Sequence, residues 1–226
     1  MRRDIVTSAI GIVVLTLVLG VLYPLVVTGV SQVVFPGNAN GQKVYVGVKP
    51  VGSKLVGQSF TTQVVKAGKP QTTKTKGPVL VANPSYFQSR PSATGEPYTN
   101  GGTPYNAAGT TFSNLGPNNT ATEQAIAGNI QSYLALERPY NPGLSAARIP
   151  VDAVNSSASG IDPDISVANA DIQAHRIASV RHLSLGAVDS MVAKYTHDRG
   201  IGFSGESGVN VLELNLALDR TPSGAK

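Results

Sequence analysis

The sequence predicts an α+β protein: a single N-terminal transmembrane helix followed by one extracytoplasmic mixed α/β domain with long loops. Three observations lead there. Ile5 to Val30 is almost wholly apolar, and no charged side chain lies between Asp4 and Lys43. Helical periodicity governs 120–137 and 167–195, whereas short β-branched runs mark strands elsewhere. Stretches rich in Asn, Gly, Pro and Thr separate these elements.

The apolar run comes first. Its 26 positions reach roughly 39 Å at about 1.5 Å per residue, enough to cross a hydrocarbon core of about 30 Å. It exceeds the roughly 7–15 apolar residues of a cleaved signal peptide, and no small-residue cleavage site follows it. Pro24 removes a backbone donor and predicts a weak spot at Tyr23-Pro24, tolerable where a neighbouring helix covers the freed carbonyl. Gly20, Thr28 and Gly29 offer small residues for close helix packing beside Pro24. Arg2 and Arg3 abut the span and predict a cytoplasmic amino terminus, while Lys43 and Lys49 follow a polar spacer. The expected organisation is 1–4 cytoplasmic, 5–30 in the membrane, 31–43 a linker and 44–226 an extracytoplasmic soluble domain.

The chain has 18 Lys and Arg against 13 Asp and Glu; without Arg2, Arg3 and Asp4 the remainder is 16 against 12, or about +4. That mild charge suits an anionic lipid surface or an acidic partner. No basic helix or aromatic-basic interleaving points to nucleic acid. The absence of cysteine excludes disulfides, thiolate metal sites and cysteine nucleophiles.

Val44 to Val48 and Leu55 to Phe60 predict two short strands, and Lys66 to Asn83, rich in Lys, Thr, Gly and Pro, an exposed loop. Pro84 to Asn119 is long for a structureless segment, and long ordered loops are usually functional. Thr120 to Glu137 predicts a helix with one apolar face, stopped at Arg138-Pro139. Ile149 to Val154 predicts a strand and Asn155 to Asp164 a turn. Ser166 caps a helix from Val167 to about Leu183, and Ser184 caps another whose stripe is Leu185, Val188, Met191, Val192 and Tyr195. In Val209 to Asp219, Leu212, Leu214, Leu216 and Leu218 alternate, which predicts a half-buried strand.

Motifs for chemistry fail structural tests. Gly47 to Lys54 reads as a phosphate loop with its last two residues transposed, which misplaces the lysine that must reach phosphate. Gly200, Gly202 and Gly205 follow a helix and precede a strand, the reverse of the dinucleotide fingerprint, and predict a turn. His175 and His182 lie two helical turns apart, about 10.5 Å, too far for one zinc, and His197 is separate. No G-x-S-x-G elbow accompanies the serines. Asp162-Pro163-Asp164 reads as a proline-fixed turn before the Ser166 cap. No catalytic or metal set survives.

A resemblance emerges when segments are taken in order: Tyr23-Pro24-Leu25 with Thr28-Gly29; 51–58; Tyr86-Phe87 with Arg90-Pro91-Ser92-Ala93; Ser113-Asn114-Leu115-Gly116-Pro117; 156–166; and 209–219. Together they resemble the C subunit of the Kdp-type potassium-transporting ATPase over nearly the whole chain. The chain departs from that pattern in the 66–83 stretch, which looks inserted, at Asp164, where the family usually has His, and at Ser207-Gly208, which replaces Pro-Arg.

The resemblance implies a non-catalytic accessory subunit of a high-affinity uptake complex. Its partners are a potassium-channel-like subunit, a P-type ATPase subunit and a small membrane subunit. ATP and potassium are used by the complex, with no cofactor bound by this chain alone. The implied role is a catalytic chaperone that raises the ATP affinity of the ATPase subunit. The implied partner contacts are the family-motif loops: Arg90, Pro91 and Ser92; Asn114, Leu115, Gly116 and Pro117; Ser159, Gly160, Asp162 and Pro163. An external domain cannot touch cytoplasmic ATP, so such an effect is allosteric. The residues themselves favour an external domain whose Asn/Gly/Tyr loops sit over the potassium entrance. The rival expectation is an anchored extracytoplasmic hydrolase or binding protein, against which stands the lack of a nucleophile-base pair.

Overall fold

The N-terminal apolar run forms one continuous helix, Arg2–Val34, long and apolar enough to cross a membrane and with no buried residue. It comprises α1 (Arg2–Leu17), a π-helical turn (Val18–Leu22) and α2 (Tyr23–Val34). The weak spot expected at Tyr23-Pro24 takes the form of that π turn: Pro24 cannot donate, and the Tyr23 amide bonds to Val18 O instead. The computed structural model describes residues 1–66, 68–72, 79–94, 105–106, 108–200 and 202–222. Lys74, Lys76 and residues 95–104 of the predicted loops lie outside the described residues.

Two compact units divide at Ser53 and Lys54. In the first, α3 (Pro36–Ala39) follows the long helix and a hairpin closes the unit, β1 (Lys43–Val46) against β2 (Lys49–Ser53), antiparallel with a bulge between Val44 and Tyr45. The second strand was expected at Leu55 to Phe60. It falls earlier because Gly47, at φ +61, turns the chain so that Val46 pairs with Lys49. The resemblance of Gly47–Lys54 to a phosphate loop thus resolves into a hairpin.

In the second unit, β3 (Thr61–Gln63) pairs with β6 (Leu80–Ala82) and β4 (Val65–Lys66) with β5 (Lys69–Pro70), so the Lys66 to Asn83 stretch is not simply loop. A three-stranded antiparallel sheet runs β7 (Asp164–Ile165), β9 (Gly208–Asn210), β8 (Thr196–His197), with β9 central. Its helices are α4 (Thr120–Glu137), α5 (Val167–Arg181), α6 (Leu185–Lys194) and α7 (Val211–Arg220). All four begin on caps: Asn119 accepts from Ala121 N, Ser166 from Asn169 N, Ser184 from Ala187 N and Asn210 from Glu213 N. His182, left-handed at φ +58, terminates α5.

Two expectations are corrected. Val209 to Asp219 is not a strand: only Gly208–Asn210 extends, and Asn210 then caps α7 by accepting from Glu213 N. The alternating leucines misled because Val211, Leu214 and Leu218 also satisfy helical spacing, and the helix buries all three along with Leu212 and Asn215. Ile149 to Val154 is a 3-10 turn at Val151–Ala153, following another at Ala146–Arg148.

The main core gathers Ile165 and Val209 of the sheet, Ala170, Ala174 and Ile177 of α5, Val188 and Val192 of α6, and Leu214 and Leu218 of α7, with Phe87 inserted from the loop. A smaller cluster joins Tyr133 and Leu134 of α4 to Leu144, Ala153 and Val154.

Candidate functional site

Segment 84–88 has no strand partner, yet side chains from two helices answer its backbone. Asn215 of α7 accepts from Phe87 N and donates to Phe87 O, both at 2.9 Å. Gln173 of α5 accepts from Gln88 N at 2.7 Å and donates to Gln88 O at 3.1 Å. Arg176 donates to Pro84 O and to Tyr86 O, and Arg181 to Ser85 O at 2.7 Å, with its guanidinium 4.7 Å from the Tyr86 ring centroid.

Beneath this strap lies a buried polar network. Arg176 and Glu137 pair at 2.9 Å with both side chains 0% exposed. Tyr133 donates to Asn169 at 2.8 Å, and Asn169 donates to Asp152, which also accepts from Ser166. Burial raises the Glu137 carboxyl above its ordinary value, and the Arg176 charge offsets part of that. Burial likewise raises the Tyr133 phenol, with the Glu137 charge adding to it. The helix with one apolar face expected over Thr120 to Glu137 buries Tyr133 and Leu134, but also Glu137, which sequence reasoning missed. Its signal is position: four residues after Tyr133, it falls on the same side of α4.

The strap carries the chain into Arg90-Pro91-Ser92, which meets the 159–163 loop. Arg90 Nη1 pairs with Asp162 Oδ2 at 2.8 Å, and Ser92 Oγ donates to Gly160 O at 2.5 Å. Tyr105 donates to Arg90 O at 2.7 Å. Asp162 Oδ1 also accepts from Asp164 N at 3.1 Å, the turn expected of Asp162-Pro163-Asp164. Gly160 sits at φ +71, and a Cβ there would strike the Thr94 methyl and Thr111 O. Gly57 is equally constrained: its amide bonds to Ile161 O at 2.8 Å, and a Cβ would strike Asp162 O. Beside this latch opens a cavity of about 390 Å³ lined in part by Ser59, Arg90, Pro91 and Tyr133, where Ser59 Oγ and Arg90 Nε are buried without a hydrogen-bond partner among the described residues.

Of the site residues expected from sequence, Arg90 thus meets Asp162 and Ser92 meets Gly160, which joins the loops that carry Pro91, Ser159 and Pro163. Asn114, Leu115, Gly116 and Pro117 form a separate, wholly exposed loop. Asn114 is left-handed at φ +56, and Phe112 and Leu115 are exposed. Downstream, Asn119 N bonds to Gly116 O at 3.1 Å and the Asn119 side chain caps α4. In the long N-terminal helix, Gly20, Thr28, Gly29 and Pro24 are exposed, and the space a Cβ would enter at Gly29 is open.

The histidines are dispersed. His182 ends α5, His175 lines a cleft of about 580 Å³ with Asp171 and Arg148, and His197 pairs with Asp164 at 3.0 Å. Partial burial raises the Asp171 carboxyl, with Asp189 adding to the rise and His175 opposing it. Among the described residues no group of three or more His, Asp or Glu is placed to hold a metal ion. Gly202 and Gly205 take positive φ in a turn closed by a Gly200–Ser204 bridge.

Known proteins resemble this chain along its length. The family model for the K+-transporting ATPase c chain matches residues 5–220. The potassium-transporting ATPase KdpC subunit of Polaromonas naphthalenivorans is 45% identical over 206 residues, covering 91% of this chain and 89% of that protein. Its counterpart in Mycobacterium tuberculosis is 38% identical over 97% of this chain and 100% of that protein, and the one in Koribacter versatilis 38% identical over 98% and 96%. The helix, the latched loops and this end-to-end likeness place the chain in the KdpC family, the c chain of the K+-transporting ATPase.

Proposed function

We propose that the chain is a non-catalytic accessory subunit that holds an extracytoplasmic domain against a potassium-translocating complex. It partners a potassium-channel-like subunit, a P-type ATPase subunit and a small membrane subunit. The observation that supports this most is the helix Arg2–Val34, almost wholly apolar from Ile5 to Val30 and with no buried residue. Such a surface is stable only in a bilayer, and Gly20, Thr28 and Gly29 let neighbouring helices approach closely.

The soluble unit supplies the second contact. The Arg90–Asp162 latch fixes two family loops together, and the exposed Ser113–Pro117 loop projects as a separate contact. Backbone and amide oxygens of these loops are suited to lie over a cation entrance. With Arg2 and Arg3 cytoplasmic, the unit lies outside, so its effect as a catalytic chaperone on ATP affinity passes through the partner subunits as a coupling between distinct sites. ATP is bound and hydrolysed by the partner.

Protease added to intact spheroplasts should digest the chain from Lys43 onward while the amino terminus stays protected. Full protection would put the soluble unit in the compartment that holds ATP and overturn the external placement. Purification in mild detergent should bring down a P-type ATPase and a many-helix potassium subunit with this chain. A monodisperse chain without them would overturn the accessory role.

A further inference from the structure

The hairpin that ends the first unit is not used by the function above. A relay of hydrogen bonds through residues 36–42 joins it to the last turn of the long N-terminal helix. Asn40 donates to Gln32 at 3.0 Å and to Pro36 O at 2.7 Å, Gln42 to Asn38 at 2.6 Å, and Ser53 to Gly41 O at 2.6 Å. The hairpin therefore leaves the end of the span without a free spacer.

Its surface has two components. Tyr45 and Val46 are each 51% exposed and Val48, beside the Gly47 turn, is 99% exposed. Exposed apolar side chains at a hairpin tip have no use in water, but they match the boundary between headgroups and acyl chains. Lys43 and Lys49 are exposed on the same hairpin. Among the described residues neither lysine is in an ion pair, and the sequence around them is basic: residues 5–95 contain eight Lys or Arg and no Asp or Glu.

We propose that the Lys43–Ser53 hairpin is a lipid-binding element, its Tyr45, Val46 and Val48 side chains seated at the bilayer interface and Lys43 and Lys49 paired with the phosphates of anionic phospholipid. The partner is the membrane surface continuous with the span, not another protein. The proposal rests on the spanning reading of Arg2–Val34. Lysine contributes through its charge near an anionic surface, and its stem lies along the apolar layer.

The chain contains no cysteine, so single cysteines report cleanly. Val48→Cys, Val46→Cys and, within the span, Val21→Cys would be labelled with an environment-sensitive fluorophore. The full-length chain would be placed in nanodiscs of phosphatidylcholine with or without phosphatidylglycerol. The quencher is a nitroxide on the upper acyl chain of the lipid. Both hairpin labels should be quenched, and more strongly with phosphatidylglycerol. Lys43→Gln and Lys49→Gln should each lower the bound-to-free ratio of the hairpin roughly fivefold in the anionic nanodiscs. A Phe203→Cys label, on an exposed side chain of the other unit, should stay quenched by aqueous iodide.

If the Val21 label is quenched by lipid but neither hairpin label is, the hairpin proposal falls while the span stands. If the Val21 label is not quenched, the spanning reading falls with it. Equal quenching with and without phosphatidylglycerol would overturn the anionic-lipid assignment. Hairpin labels shielded only after the other transporter subunits are added would assign the surface to a protein instead.

Discussion

Arg176 donates its Nε to Glu137 Oε1 at 2.9 Å, and neither side chain is reached by solvent. The remaining guanidinium donors go to Gln173 and to the carbonyls of Pro84 and Tyr86, whereas Glu137 Oε2 has no hydrogen-bond partner. A pair so placed contributes through what its removal would strand: a buried charge without a counterion.

Glu137→Ala is therefore expected to cost about 3–5 kcal/mol, read as a lower urea midpoint of the full chain in detergent. Glu137→Met with Arg176→Leu should recover most of that loss, because both charges leave together. A double variant no more stable than the single one would show that the carbonyl contacts of Arg176, not its charge balance, dominate.

Stability should also depend on pH through Glu137. Burial raises its carboxyl above the ordinary 4.5, so the folded state holds that proton more tightly than the unfolded chain. The resulting stabilisation is fully present below 4.5 and is lost as pH rises through the folded-state value. Unfolding midpoints should rise on acidification across that window, and Glu137→Gln should flatten this component in a side-by-side titration.

Gly160→Ala combines a left-handed backbone with a collision against Thr94 and Thr111. The expected loss is about 1–3 kcal/mol, together with opening of the Arg90–Asp162 latch. Gly143→Ala, where nothing lies within 4 Å of the added Cβ, should change the midpoint by no more than about 0.5 kcal/mol. Equal effects at the two positions would remove the steric argument.

Asn114 tests the exposed loop separately. At φ +56 a β-branched side chain is strained by about 1–2 kcal/mol, so Asn114→Val should reshape the loop and reduce recovery of partner subunits. Asn114→Gly should retain them. Both variants should leave the melting of the chain itself close to wild type, because no residue of the loop is buried.

Removing residues 1–30 should release a folded, soluble chain that no longer assembles with the transporter. Undiminished assembly, measured by co-purification, would reduce the membrane helix to a tether.

The long N-terminal helix was legible from its unbroken apolar run, and α4, α5 and α6 because caps and stops coincide with their periodicity: Asn119, Ser166 and Ser184 sit where the apolar pattern begins. α7 was not. Its alternating leucines satisfy both periods, and only the cap from Asn210 to the Glu213 amide tips the chain into a helix. The latch was half legible. The resemblance named Arg90 and Asp162, but their pairing spans 72 positions of sequence, a separation that local pattern cannot bridge. The polar core was invisible for the same reason: Gln173 looks like an ordinary helix-surface amide, and Asn215 like a polar position of the expected strand, until the strap they bind is in place.

That strap has a consequence for the order of assembly. Phe87 and Gln88 have their amide protons held by Asn215 and Gln173 rather than by a neighbouring strand. Those acceptors come from α7 and α5, at the far end of the chain. A truncated or nascent polypeptide that ends before Asn215 lacks the acceptor that holds the Phe87 amide, so this segment cannot settle until α7 has been made. Its slow-exchanging protons would then open only with α5 and α7, marking one cooperative unit that joins an early loop to the last helix.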